Sequence, residues 1–148
     1  MTQRSGPFWD AVNGRAPLPP AATTLGLQFV DADVEAGTIE LAFDAKPEWV
    51  NPAGNVLGAF VAAMLYDTVG PALLATLPPD QFQSTHDITV HFLRPARPSR
   101  LIGKGRIIRR DGDLVYLEAS LIRDDGAIVA TATATATVIP LDAAATAV

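Results

Sequence analysis

The 148-residue chain contains no cysteine and only two histidines, His86 and His91. The first absence removes disulfides, thiolate metal sites and a cysteine nucleophile; the second leaves too few imidazoles for a histidine-rich metal site. Positive charge is also scarce, with 11 lysines and arginines against 16 acidic residues and a net charge of −5. That balance argues against a nucleic-acid partner, since such binding is dominated by neutralisation of phosphates. Long apolar runs are missing too. The most membrane-like stretch, residues 56–77, is interrupted by Asp67, and its uncharged piece over 56–66 has 11 residues, short of the roughly 20 that a spanning helix needs. Residues 1–15 hold no apolar core of the kind a secretory leader requires, so a cytoplasmic chain without a membrane partner is expected. What is present is 49% hydrophobic and 18% charged, with 11 glycines and 12 prolines. Those proportions describe one packed domain, large enough to bury about two-thirds of its unfolded surface.

Periodicity divides the chain. Residues 7–15 read as a short amphipathic turn or helix carrying Phe8, Trp9 and Val12, followed by the breaker run Ala16-Pro17-Leu18-Pro19-Pro20. Residues 1–22 are therefore an N-terminal arm. In 38–44, Ile39, Leu41 and Phe43 alternate with polar or small residues, the pattern of a half-buried strand, and 25–31 is its expected partner. One long helix is predicted from Val56 to about Thr76, apolar almost all round and so wrapped by other elements. Asn55 is a candidate cap, Pro71 is expected to kink or split the helix, and Pro78-Pro79 to end it.

Four strands are predicted after the helix, at 87–93, 101–110, 114–123 and 127–139. Hairpins at Asp111-Gly112-Asp113 and Asp124-Asp125-Gly126 join the last three. The final strand alternates Ala130, Ala132, Ala134 and Ala136 with Thr131, Thr133, Thr135 and Thr137. A low-complexity linker is the alternative reading, but alternating β-branched threonine is what a strand face looks like. Residues 142–148 are expected to fray. The order implies an α+β architecture, one central helix wrapped by a curved antiparallel sheet, whose exposed edges favour pairing with a second copy.

The chemistry is expected in Asn51-Pro52-Ala53-Gly54-Asn55-Val56-Leu57-Gly58-Ala59-Phe60 and the helix after it. A polar loop feeds a helix start, where free amide hydrogens can hold an anion or a developing oxyanion. Farther along the same rod lie Tyr66 and Asp67. Asp67 is the only charge in the helix, and a carboxylate in apolar surroundings is costly enough to mark a site. The alternative is that it faces solvent or caps a local turn before Gly70-Pro71.

With these residues in view, the sequence resembles the hotdog-fold acyl-CoA thioesterases, in particular the phenylacetate-degradation type related to 4-hydroxybenzoyl-CoA thioesterase. The likeness runs from Phe8-Trp9-Asp10 through Leu25-Gly26 and 51–70 to Leu93-Arg94-Pro95-Ala96-Arg97 and residues 125–132. It implies hydrolysis of an acyl-CoA to free acid and coenzyme A without a cofactor or metal, in a homodimer or a pair of dimers. Asn51 would arrange the loop and the reacting thioester or water, and the Gly58 amide would polarise the thioester carbonyl. Thr85 would orient the water or the carboxylate. The family's His or Gln falls on Leu57 and its second Gly on Ala59, which with Leu57 would line the substrate. The family's catalytic Asp or Glu falls on Tyr66, a poor base because a phenol titrates near 10, so the neighbouring Asp67 is taken as the base.

Two rivals follow from those departures: a non-hydrolytic acyl-CoA or small-ligand binding protein that has lost the base, and a hydratase or dehydratase, which would need a helix histidine that this chain lacks. Eight of the 11 basic residues fall in 94–123. Arg94 and Arg97, around Pro95, are the candidates to meet the phosphates of coenzyme A, the others being expected on solvated strand faces. His86 and His91 are expected on opposite faces, with His86 a candidate to line the site. Trp49 and Phe60 are expected in the core or an interface.

Overall fold

The computed structural model describes residues 4–147; the first three residues of the arm and Val148 of the tail lie outside it. Two short helices open the chain, α1 (Pro7–Val12) and α2 (Pro20–Thr24). Strands β1 (Gln28–Asp33) and β2 (Thr38–Asp44) come next, followed by a 3-10 turn at Pro47–Trp49 and the long helix α3 (Gly58–Leu74). Strands β3 (Gln81–Phe92), β4 (Arg100–Asp111), β5 (Leu114–Ile122) and β6 (Ile128–Pro140) complete the sheet. All six strands form one antiparallel sheet in the order β1-β2-β4-β5-β6-β3. Because α3 leaves β2 near one edge and delivers the chain to β3 at the other, it must cross the whole sheet, which curls around it.

Packing explains the close fit. The predicted alanine face of β6 is buried, from Ala130 to Ala136. The tightest approach is elsewhere, at β4: a Cβ on Gly103 would fall 2.3 Å from Thr68 Oγ1, and one on Gly105 would fall 3.1 Å from Thr68 Cγ2. Thr68 itself is fully buried and donates its hydroxyl to Met64 O at 2.8 Å. The core is built by Leu41, Phe43, Met64, Leu65, Leu101 and Leu121, all fully buried.

Several expectations change. The first strand begins at Gln28 rather than Leu25, because Gly26, at φ +64, turns the chain where a Cβ would lie 2.6 Å from Asp44 Cβ. Strand β3 begins at Gln81, six residues earlier than expected, and pairs with β6 rather than with its chain neighbour β4. The connection through Pro95 and Pro98 carries the chain back to the middle of the sheet, anchored by Val56 N–H to Ala96 O and Ala45 N–H to Ser99 O. Asn55 does not cap α3. Leu57 occupies that position, and no side chain caps the end. Pro71 neither splits nor ends the helix; the donor it lacks leaves the Asp67 carbonyl without its usual partner four residues on. The helix stops at Leu74, before Pro78.

The arm packs on the body: Trp9 Nε1–H donates to Ala75 O at 2.8 Å, and Phe8, Trp9 and Phe29 meet edge to face. The tail expected to fray forms a 3-10 helix over Leu141–Thr146, with Leu141 N–H bonded to Asp80 O.

Candidate active site

At the start of α3, Asn51 organises the loop. Its Oδ1 accepts from Ala53 N–H at 3.0 Å and Asn55 N–H at 3.1 Å, and its own N–H donates to Asn55 O. Leu57 N–H is used by Trp49 O, while Phe60 and Val61 both donate to Leu57 O. The amides of Gly58 and Ala59 are thus the first of the helix, at the positive end of its dipole. A cavity of about 370 Å³ opens here, lined by Asn51, Asn55, Gly58, Phe92 and Arg94. Gly58 lets the Phe92 ring close in, since a Cβ would lie 3.2 Å from that ring. Leu57, 44% exposed, and Ala59 point outward instead. Trp49, which is buried, stacks on Phe60 at 4.6 Å and holds the loop against the helix.

The basic residues of 94–123 divide by what they meet. Lys104, Arg106, Arg109, Arg110 and Arg123 are ion-paired with Glu40, Glu118, Asp111, Asp113 and Asp125. Arg94 donates to Ile128 O at 3.1 Å and Arg97 to Gly54 O at 3.2 Å. Those are bonds to backbone oxygens, so neither guanidinium is ion-paired among the described residues; Arg94 lines the Gly58 cavity, while Arg97 lies against Gly54 of the preceding loop.

Asp67 and Tyr66 lie elsewhere, two and a half turns along α3. They line a cavity of about 540 Å³ between the helix and the arm, together with Phe8, Phe29, Phe82 and Gln83. Both also border a neighbouring cleft with Ala62, Ala63 and Ile88. Burial among apolar side chains raises the Asp67 pKa from 3.8 to about 6, as desolvation disfavours the charged form. Tyr66 is 44% exposed. Thr85 is buried and donates its hydroxyl to Gln83 Oε1 at 2.9 Å, so Gln83 forms the cavity wall and Thr85 orients its amide.

Sequence reasoning missed Gln83, although strand alternation places it on the same face as Thr85. It also missed Phe92 as the lid over Gly58. His86 sits at a bulge between Thr85 and Asp87, shares a hydrogen bond with Thr137 Oγ1 at 2.7 Å, and lines none of these cavities. That bulge leaves both histidines exposed rather than on opposite faces. No cluster able to hold a metal occurs among the described residues. No helix there is long and apolar enough to cross a membrane.

Residues 46–138, well over half of the chain, match the acyl-CoA thioesterase N-terminal domain family. The chain belongs to the acyl-CoA thioesterase family. Among solved structures, this thioesterase-family chain is similar to a phenylacetic acid degradation-related protein of Ralstonia eutropha JMP134. The two are 38% identical, with a TM-score of 0.85, over 88% of this chain and 98% of that one. Two more distant likenesses show the shared hotdog fold. One is a thioesterase from Haemophilus influenzae, at 16% identity and TM-score 0.79 over 94% of each chain. The other is the PaaI protein of E. coli from the phenylacetic acid degradation operon, at 14% and 0.78 over 89% and 93%. No curated protein sequence matches the chain. The central helix and six-stranded antiparallel sheet are thus the hotdog fold expected from the sequence.

Proposed function

We propose that the protein hydrolyses acyl-CoA thioesters and that the complete site forms between two copies of the chain. The observation that carries this reading is the separation of the two chemical centres. Nine residues at 1.5 Å each put Asp67 about 13 Å along the axis from Gly58, and the two line different cavities. One chain's carboxylate therefore does not reach a carbonyl held at its own Gly58 amide. A two-fold partner brings the second centre to the first. Exposed apolar side chains support such a face: Phe92 at 59%, Leu93 at 53%, and Leu57 and Tyr66 on the outer side of α3. The free edge of β3 adds to it.

In this arrangement the Gly58 N–H, aided by the helix dipole, binds the thioester carbonyl oxygen. Asp67 of the other copy takes a proton from water as the water oxygen bonds to the carbonyl carbon. The tetrahedral oxyanion is stabilised at the amide. Its collapse breaks the carbon–sulfur bond, and the departing thiolate takes the proton from Asp67, leaving free acid and coenzyme A. Asn51 shapes the loop, and Thr85 acts through Gln83. Arg94 and Arg97 lie where coenzyme A phosphates can reach them. The 38% identical relative, a phenylacetic acid degradation-related protein, is consistent with a small-molecule thioester as substrate.

A thiol-release assay across acyl-CoAs tests this. Turnover should rise with pH through about 6, as Asp67 loses its proton. Asp67→Asn should lower kcat by about 10²–10⁴-fold, the usual worth of a general base, while Tyr66→Phe should matter far less. Equal losses in both variants would remove Asp67 from the role.

One observation favours a second reading. Leu57 offers no donor, and Tyr66 stands where the family places its carboxylate, as in a binding protein that has lost the base. Thermal stabilisation by coenzyme A with no thiol released would decide for it.

A further inference from the structure

We infer that the cavity between the N-terminal arm and α3 is the acyl pocket, and that it selects bulky, uncharged acyl groups over short or carboxylate-tipped ones. This rests on the thioesterase reading and deepens it. The arm, up to and including β1, lies outside the matched residues 46–138, so family membership alone does not assign the pocket. Its volume of about 540 Å³ is in the range of small-molecule sites.

Phe8, Leu18, Phe29, Leu74 and Phe82 make the wall. The polar side chains are the neutral Gln28 and Gln83, with Tyr66 and Asp67 on one side. No cationic side chain lines it among the described residues. An acyl group ending in a carboxylate would leave that charge unpaired and facing Asp67, whereas an aliphatic or aromatic tip is dehydrated against apolar carbon.

Orientation follows from the neighbouring cleft. Asp67, Tyr66, Pro19 and Ala22 border both spaces, so the carboxyl stands at their junction, where a reacting carbon would sit. The cleft on the other side is walled by Ala21, Ala62 and Ala63 together with Leu25 and Ile88. Residues 62 and 63 lie on α3 between Asp67 and Gly58, so that cleft, of about 480 Å³, runs back toward the helix start and is assigned to the pantetheine arm. The side walled by Phe8, Phe29 and Phe82 is left for the acyl group. Gly70 keeps it open: a Cβ there would come 3.0 Å from Gln83 Nε2, which Thr85 fixes from the other end of the amide.

The test compares kcat/KM for acetyl-, octanoyl-, benzoyl- and glutaryl-CoA and measures binding of the non-hydrolysable thioether S-octyl-CoA by calorimetry. Octanoyl- or benzoyl-CoA should exceed acetyl- and glutaryl-CoA by at least about tenfold, as apolar pockets discriminate. Ala11→Phe, which adds a ring inside the pocket, should cut the octanoyl-to-acetyl ratio about tenfold and weaken S-octyl-CoA in step. Leu18, 38% exposed on the arm, tolerates truncation, and Leu18→Ala should move the preference toward dodecanoyl-CoA. Turnover with a flat or glutaryl-favouring profile, or a ratio unmoved by both variants, overturns the pocket and leaves the thioesterase reading standing. Binding of S-octyl-CoA that responds to the variants without any turnover supports the pocket and overturns hydrolysis. Neither turnover nor binding overturns both.

Discussion

At the scale of single residues, Asp67 concentrates both the proposed chemistry and a cost. Its folded pKa of about 6 against an ordinary 3.8 means that between those values the folded chain holds a proton that the unfolded chain has released. Stability contributed by the neutral carboxyl is therefore present at low pH and declines as pH rises through this window, with the full penalty felt above about 6. Asp67→Asn should raise stability at pH 7.5 by up to about 3 kcal/mol, since each pKa unit corresponds to about 1.4 kcal/mol, and the gain should vanish near pH 4. Denaturant unfolding at the two pH values checks this; an equal difference at both would mean that the charge is not what strains the site. The carboxylate was legible in the sequence because it is the one charge in an apolar helix. Gln83 was not. A glutamine near a strand start carries no signal until the fold sets it against Gly70 and Thr85.

At the scale of elements, the seat of α3 on β4 depends on what is missing from Gly103 and Gly105. A methyl at 103 would meet Thr68 Oγ1 at 2.3 Å and Phe43 Cε2 at 3.0 Å. Thr68 cannot swing away without giving up its bond to Met64 O. Gly103→Ala should cost about 1–3 kcal/mol, the usual price of overpacking, and Thr68→Ala should recover part of it in a double-mutant cycle. A neutral effect on the denaturation midpoint would refute the close approach. The alternating strands and the long apolar helix were readable from period alone. The sheet order was not, because β3 reaches β6 through pairings far apart in sequence, and the hairpin signals speak only for β4-β5-β6. Pro71 does not split the helix for a local reason: one missing donor interrupts the hydrogen-bond ladder at a single carbonyl, and the packing of α3 on the sheet holds the helix through the gap.

At the scale of the whole molecule, one helix carries an oxyanion-binding start and a carboxyl that its own geometry keeps apart. In the proposed arrangement a pair of chains related by a two-fold axis resolves this, with each site drawing Gly58 from one copy and Asp67 from the other. Gly58→Pro, which removes the Gly58 N–H at the first helical position, where proline is tolerated, and Asp67→Asn should each be inactive alone. The most direct measurement is to unfold the two variants together, refold the mixture and assay thiol release. If the site is shared across the two-fold, half of the dimers are mixed and each regains one intact site of two, so about a quarter of wild-type activity should return. No recovery, in a mixture shown to contain mixed dimers, would contradict the shared site.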